Sequence, residues 1–156
     1  MKIQLAEKNN LIEVLYIIRE CSRQLMERGV KYWNNSMVDF NDIAEDISNK
    51  YVYILYINRV SVGTITIKPH KINSDICMIS RLAIYPPYQN KGLARTLLEF
   101  AENVARENRS RVIKGITPLD DQAIKQLMEE KGFCNKGLAT EVIQEYERVV
   151  FEKELI

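Results

Sequence analysis

The sequence predicts a mixed α/β sheet in one domain, with elements in the order β-αα-β-β-β-α-β-α-β-β. Three observations carry that prediction. The hydrophobic period switches from helical to alternating between "DFNDIAEDISNK" and "YVYILYI". Two β-branched and aromatic runs, "YVYILYI" and "VGTITIK", are joined by the short polar turn "NRVS", which reads as an antiparallel hairpin. The later strands "ICMISRLAIY" and "RVIKGIT" each lead into an amphipathic helix.

The elements follow in order. "KIQLAE" alternates as a first strand. "NNLIEVLYIIRECSRQLMERG" places Leu11, Val14, Leu15, Ile18, Leu25 and Met26 on one helical face, with a cap at Asn9 or Asn10 and a stop at Gly29. "VKYWNNSM" is a connector holding the only tryptophan, and "DFNDIAEDISNK" is a short helix with Ile43 and Ile47 four apart. After the hairpin, "KPHKINSD" is a loop; its His70 reads as a surface histidine. "ICMISRLAIY" is long and apolar, so it reads as a central strand. In the next helix Leu93, Ala94, Leu97, Leu98, Ala101, Val104 and Ala105 form the apolar face. "RVIKGIT" is a strand. "PLDDQAIKQLMEEKG" is a helix with Pro118 near its start, Asp120 and Asp121 in its first turn and Gly132 at its end. "FCNKGLAT" and "RVVFEKEL" are the last two strands. No repeat, low-complexity stretch or linker interrupts residues 1–156, so the expectation is a single domain.

Composition narrows the function. The 156 residues are 46% hydrophobic and 28% charged, enough for one core. With 22 Lys and Arg against 21 Asp and Glu, the net charge is +1, far from the basic balance of a general nucleic-acid binder. Cys21, Cys77 and Cys134 are odd in number and widely spaced, which argues for free thiols in a reducing compartment. No run approaches the ~18 apolar residues of a membrane span, and the N-terminus lacks a continuous apolar segment. The expectation is a soluble cytoplasmic protein with no membrane or nucleic-acid partner. The lone His70 and the absence of zinc-like spacing leave no metal site.

One stretch asks for a ligand. In "LAIYPPYQNKGLARTLLEFAENVA", Pro86 and Pro87 stop the strand, and Gly92 lies where the helix begins. The first N–H groups of a helix have no internal partner and carry partial positive charge. Gly92 lets an anion approach the backbone, and Lys91 and Arg95 add full charges. The pattern suits a phosphate or pyrophosphate; a ligand-free strand-to-helix connection is the other reading. It is neither a Walker A loop nor G-x-G-x-x-G.

"QNKGLA", Gln89 to Ala94, resembles the Q/R-x-x-G-x-G/A signature of the GNAT superfamily of N-acetyltransferases. "SRLAIYPPYQNKGLARTLLEFAENVA" resembles that superfamily's central strand, pyrophosphate loop and following helix. "DDQAIKQLMEEKGF" resembles its later N-x-x-A-x-x-L-Y-x-x-x-G-F stretch, and "RGVKYW" and "NRVSVGTI" resemble segments of small bacterial members. The resemblance implies a mostly antiparallel sheet of six or seven strands flanked by about four helices. It implies acetyl-CoA as cosubstrate. The pantetheine arm would pair with Leu82, Ala83 and Ile84, and the pyrophosphate would lie on Gln89, Asn90, Lys91, Gly92, Leu93, Ala94 and Arg95. The family's asparagine on the later helix corresponds to Asp121.

The chemistry would be transfer of the acetyl group to a primary amine of a small molecule or peptide. The amine must first lose a proton, its ordinary pKa being near ~10.4. A backbone N–H on the central strand, that of Leu82, would polarise the thioester carbonyl. Two side chains frequent in the family are missing: Met128 stands where a tyrosine acid is common, and Met78 where some members carry a glutamate base. Candidate substitutes are Tyr146, Tyr85, Tyr88, Asp75 and Ser80; for Tyr85 and Tyr88, packing against the prolines is the competing role. The acceptor side would involve Glu27, Tyr32 and Trp33, although Trp33 equally suits a core and Glu27 a solvated helix. The missing acid also admits a CoA-binding sensor with little or no turnover. A partner-binding domain, for which the loop is only a connection, is the third reading. Monomer and homodimer are both compatible with the sequence.

Overall fold

The computed structural model describes residues 1–30, 39–139 and 147–155. Seven strands form one sheet in the order β1-β2-β3-β4-β5-β7-β6. They are β1 Lys2–Leu5, β2 Val52–Ile57, β3 Val60–Pro69, β4 Ile76–Ile84, β5 Val112–Pro118, β6 Cys134–Leu138 and β7 Arg148–Glu154. Among the described residues four α-helices accompany them: α1 Leu11–Glu27, α2 Phe40–Ser48, α3 Leu93–Glu107 and α4 Gln122–Glu130. This is the mixed, mostly antiparallel sheet with flanking helices that the sequence led us to expect. The chain forms two compact units, Met1–Ile67 with Arg81–Leu97, and Lys68–Ser80 with Leu98–Ile156.

In the first unit β1 pairs antiparallel with β2, and β2 with β3. The hairpin turn is tighter than "NRVS" suggests. Ile57 pairs with Val60, leaving only Asn58 and Arg59 in the turn, both left-handed at φ 49° and 68°. That is the twist-compatible geometry of two-residue hairpins. Asn10 holds the N-cap position of α1, as expected, but its side chain makes no cap hydrogen bond there. A 3-10 turn, Lys8–Asn10, precedes the helix, and Asn10 Oδ1 accepts the Glu7 N–H at 2.8 Å instead. Asp39 caps α2 by accepting the Asp42 N–H at 3.0 Å. The core of this unit gathers Val14, Leu15, Ile17, Ile18 and Cys21 of α1, Ile43 and Ile47 of α2, Val52 and Ile54 of β2, and Ala83 of β4.

In the second unit β4 runs parallel to β5, with register Ile76↔Val112 to Ile79↔Gly115, and β7 pairs antiparallel with both β5 and β6. Pro118 ends β5 rather than opening a helix, and α4 begins at Gln122 behind its cap Asp121. A proline is tolerated at a strand end, where its missing N–H disrupts the ladder least. His70 sits in the loop before β4, where Nδ1 accepts the N–H groups of Ile72 and Asn73, both at 3.1 Å. It shapes that loop. Lys153 Nζ donates to Glu102 Oε1 and to the Lys131 carbonyl, both at 2.8 Å.

Candidate functional site

The site grows from the end of β4. The Tyr85 N–H donates to the Val62 carbonyl at 2.8 Å, which ties this end of β4 to β3. Successive peptide groups of a strand alternate sides. By that alternation the N–H groups of Leu82 and Ile84 would fall on the side opposite the Tyr85 N–H; the Ala83 side chain is buried. The Ile84 carbonyl is held from two directions: the Cys21 thiol donates to it at 2.9 Å, and Gln89 Nε2 donates to it at 2.9 Å. Gln89 Nε2 also donates to Gln24 Oε1 at 2.9 Å, so this side chain clasps the loop to α1 and to the strand it leaves. Burial pushes the Cys21 thiol up to about 12, so it stays protonated and donating at neutral pH.

Arg81 is the unexpected residue here. It lies inside β4 yet adopts φ 49°, a left-handed conformation that costs a non-glycine residue about 1–2 kcal/mol. Its guanidinium is buried and its Nη1 donates to Asp46 Oδ2 of α2 at 2.8 Å; each side chain is 9% exposed. Removing one partner of such a pair typically costs about 3–5 kcal/mol, because the other charge stays buried. A sequence signal existed: Arg81 interrupts the apolar alternation of "ICMISRLAIY" at a position whose neighbours on the same parity, Ile79 and Ala83, are buried. Its partner, 35 residues away, carried none.

Beyond β4 the prolines make a single 3-10 turn, Pro86–Tyr88. Two left-handed residues follow, Asn90 at φ 64° and Gly92 at φ 80°. A Cβ built on Gly92 would meet no atom within 4 Å, so open space lies over this backbone. The first helical bond of α3 runs from the Thr96 N–H to the Gly92 carbonyl at 3.1 Å, and the N–H groups of Leu93 and Ala94 lie ahead of it. Leu93 is buried and anchors the helix start, whereas Asn90, Lys91, Gly92 and Arg95 are exposed. Lys91 Nζ sits 5.7 Å from the centre of the Tyr88 ring, a cation–π distance. Tyr88 and Tyr85 rings lie 6.3 Å apart, and Tyr85 and Tyr16 5.7 Å. Tyr85 and Tyr88 thus join a row of aromatics with Tyr16 of α1. The hydrogen bond to Tyr85 pushes the Tyr16 phenol up to about 12. Strand end, left-handed loop and helix start together present exposed backbone donors beside two cationic side chains.

The family model for acetyltransferases of the GNAT family matches residues 13–133. The chain belongs to the GNAT acetyltransferase family. A search of curated proteins returned no match. Among solved structures, a ribosomal-protein-alanine N-acetyltransferase of Brucella melitensis superimposes with TM-score 0.81 at 20% identity, over 99% of this chain and 100% of its own. YncA of Salmonella typhimurium, solved with its cofactor acetyl-CoA, gives 0.79 at 19% identity over 100% and 94%. The PaiA N-acetyltransferase of Thermoplasma acidophilum, in complex with coenzyme A, gives 0.77 at 16% identity over 99% and 98%. These likenesses are of fold.

In this GNAT chain the residues of α4 singled out by the sequence lie as follows. Met128 is 2% exposed, and its Cε lies 3.0 Å from a Cβ built on Gly115, whose other near neighbour is Ile79. It packs a core and offers no proton. Asp121 spends a carboxylate oxygen on the Ile124 N–H at 3.3 Å as the cap of α4. Met78 and Ser80 are half-buried in β4. Asp75 is exposed, and its carbonyl accepts the N–H groups of Arg111 and Val112 at 2.7 and 3.1 Å, a role in the chain's turn into β5. Glu27 lines an open depression of about 420 Å³ along α1, together with Arg19, Ser22, Arg23 and Met26. Tyr32, Trp33 and Tyr146 lie outside the described residues. Sequence reasoning missed Arg81, Asp46 and the Gln24–Gln89–Ile84–Cys21 clasp, all of which depend on contacts distant in sequence.

Proposed function

We propose that this chain is an acetyl-CoA-dependent N-acetyltransferase acting on a primary amine of a small molecule or peptide, by direct attack in a ternary complex. The observation that carries the reading is the backbone of Asn90 to Arg95. Asn90 and Gly92 are left-handed, open space lies over Gly92, Lys91 and Arg95 are exposed nearby, and the leading N–H groups of a helix have no intrahelical partner. That donor set suits a pyrophosphate. Family membership and the two relatives solved with acetyl-CoA or coenzyme A support the same cosubstrate. The Brucella relative is named for a protein amine, which fits the same class of acceptor.

In this reading Asn90, Lys91, Gly92, Leu93, Ala94 and Arg95 hold the pyrophosphate, and Gln89 braces their loop. Leu82 and Ile84 offer N–H groups along the pantetheine arm, and Ala83 keeps the strand seated in the core. Asp121, the cap of α4, is assigned to the cosubstrate by its correspondence to the family's asparagine. The acetyl group supplied by the cosubstrate is an activated thioester. The Leu82 N–H stabilises the charge that develops on its carbonyl oxygen as the C–N bond forms. The C–S bond then breaks, the amine's proton leaves to a base or water, and the thiolate takes a proton. An ordinary thiol pKa near ~8.5 makes the thiolate a tolerable leaving group without a strong acid. Glu27, with Tyr32 and Trp33, is assigned to the acceptor, and Tyr146 to the proton relay. We read the chain as one domain working in the cytoplasm as a monomer or homodimer.

A second reading, a CoA-binding sensor with little turnover, is favoured by Met128, which occupies the proton donor's place with a core side chain. Incubation with acetyl-CoA and a panel of amines, read by thiol release, separates the two. Amine-dependent release establishes the transferase. Acetyl-CoA binding without release from any amine establishes the sensor.

A further inference from the structure

We propose that Arg81 and Asp46 are a positioning pair for acetyl transfer: their buried ion pair fixes the left-handed turn of Arg81 and so aims the Leu82 N–H at the thioester carbonyl. This inference rests on the transferase reading above. The link is covalent. The Leu82 N–H belongs to the peptide joining Arg81 to Leu82, so the Arg81 backbone sets its direction. An extended strand needs no residue at φ 49°, and arginine is ill suited to that conformation.

What holds it is the side chain. Arg81 Nη1 meets Asp46 Oδ2 at 2.8 Å, with both side chains 9% exposed. Asp46 is itself fixed, because its carbonyl accepts the Tyr51 N–H at 3.0 Å where α2 ends. Ile43 and Ile47 of the same helix share a core with Ala83, so the residues on both sides of Leu82 are tied to α2. Stability alone gives no reason for this arrangement. A buried ion pair is commonly matched or bettered by apolar residues of similar volume, whereas a buried pair that fixes one geometry gives specificity. Donor aim is a geometric requirement, since the donor must face the place where charge develops. Neither residue touches the reacting atoms in this account; both act through the Leu82 peptide.

The test is isotope-edited infrared spectroscopy of acetyl-CoA carrying ¹³C at the thioester carbonyl. A hydrogen bond from Leu82 lowers the carbonyl stretch of the bound molecule relative to solution. Two variants remove the lock. Arg81→Met with Asp46→Asn removes both charges of the pair and leaves the left-handed turn without its ionic tether. Arg81→Leu with Asp46→Leu, which also removes both charges of the pair, serves if the first variant does not fold. We expect wild type to show the lowered stretch. We expect the variants to bind acetyl-CoA with wild-type affinity, since the loop is untouched, but to lose the shift. With an active amine, kcat should fall about 10- to 100-fold at unchanged KM for acetyl-CoA. Variants that keep the shift would make the pair merely structural and overturn the inference. Wild type that binds without a shift overturns it too, while leaving the cofactor reading intact. Wild type that does not bind acetyl-CoA overturns the reading beneath it.

Discussion

Gly92 and Met128 stand in two regions shaped by opposite demands. At Gly92 the backbone turns left-handed at φ 80°, and an added side chain would meet no atom within 4 Å. At Met128 the side chain is 2% exposed, and its Cε lies 3.0 Å from where a Gly115 side chain would begin. The loop keeps atoms out; α4 packs them in. Holding a pyrophosphate needs backbone donors and space, which the loop supplies through conformation. Moving a proton needs a titratable side chain, and at Met128 the buried face of α4 presents a thioether. The comparison teaches that the two demands are separable in one chain: under the proposed function the loop can hold the cosubstrate whether or not α4 supplies a proton.

The largest effect that tests the contrast is Gly92→Val. A β-branched residue at positive φ is strained by about 1–2 kcal/mol, and its side chain enters the open space. We expect acetyl-CoA affinity to fall at least ~100-fold, about 2.7 kcal/mol, as read by calorimetry, with the fold retained by circular dichroism. Met128→Tyr sharpens the other side. Restoring the family's phenol overfills the contact with Gly115 and Ile79, so denaturant unfolding should show a loss of about 1–3 kcal/mol. Acetyl-CoA binding by the grip alone should not change. A stable Met128→Tyr variant would mean that α4 has room for the donor after all.

Reversing charge, Lys91→Glu with Arg95→Glu, should weaken acetyl-CoA by roughly 10-fold and flatten its salt dependence, because exposed charges act through a screened field. An unchanged salt slope would place the anion away from these residues. The smallest effect concerns the thiols. Burial pushes Cys21 up to about 12 and Cys77 up to about 11, against roughly 8.5 when unfolded. Their folded pKa values are raised, so this contribution to stability is full below about pH 8.5 and declines as pH rises toward 11 and 12. A thiol reagent at pH 8 should label exposed Cys134 quickly, and Cys21 and Cys77 only with denaturant.

Most elements were legible because they follow from period and punctuation. The 3.6 repeat gave α1 to α3, terminal residues gave α4, two β-branched and aromatic runs about a polar turn gave the β2–β3 hairpin, and Gly29 and Gly132 end α1 and α4 at φ 84° and 86°, as helix-terminal glycines do. Asp121 was read as a first-turn acid and stands one residue earlier, as the cap. What escaped was conformation without a residue signal. Arg59 in a two-residue turn and Arg81 inside a strand both adopt left-handed backbone that their side chains do not advertise. The Asn10 side chain makes no cap bond to α1 because a 3-10 turn came first and drew it back to Glu7. At the candidate site the loop residues could be read because glycine, prolines and lysine each carry a local meaning. The Gln89 clasp and the Arg81–Asp46 pair could not, because each is made with residues 35 to 65 positions away.

The measurement that tests the central claim most directly is thermal unfolding at increasing acetyl-CoA, run in parallel on wild type and Gly92→Val. At about 100 times the dissociation constant a ligand that binds only the folded chain adds about 2.7 kcal/mol. The account predicts a concentration-dependent rise in Tm for wild type that the variant lacks. No rise at millimolar acetyl-CoA, or an equal rise in both proteins, would contradict it.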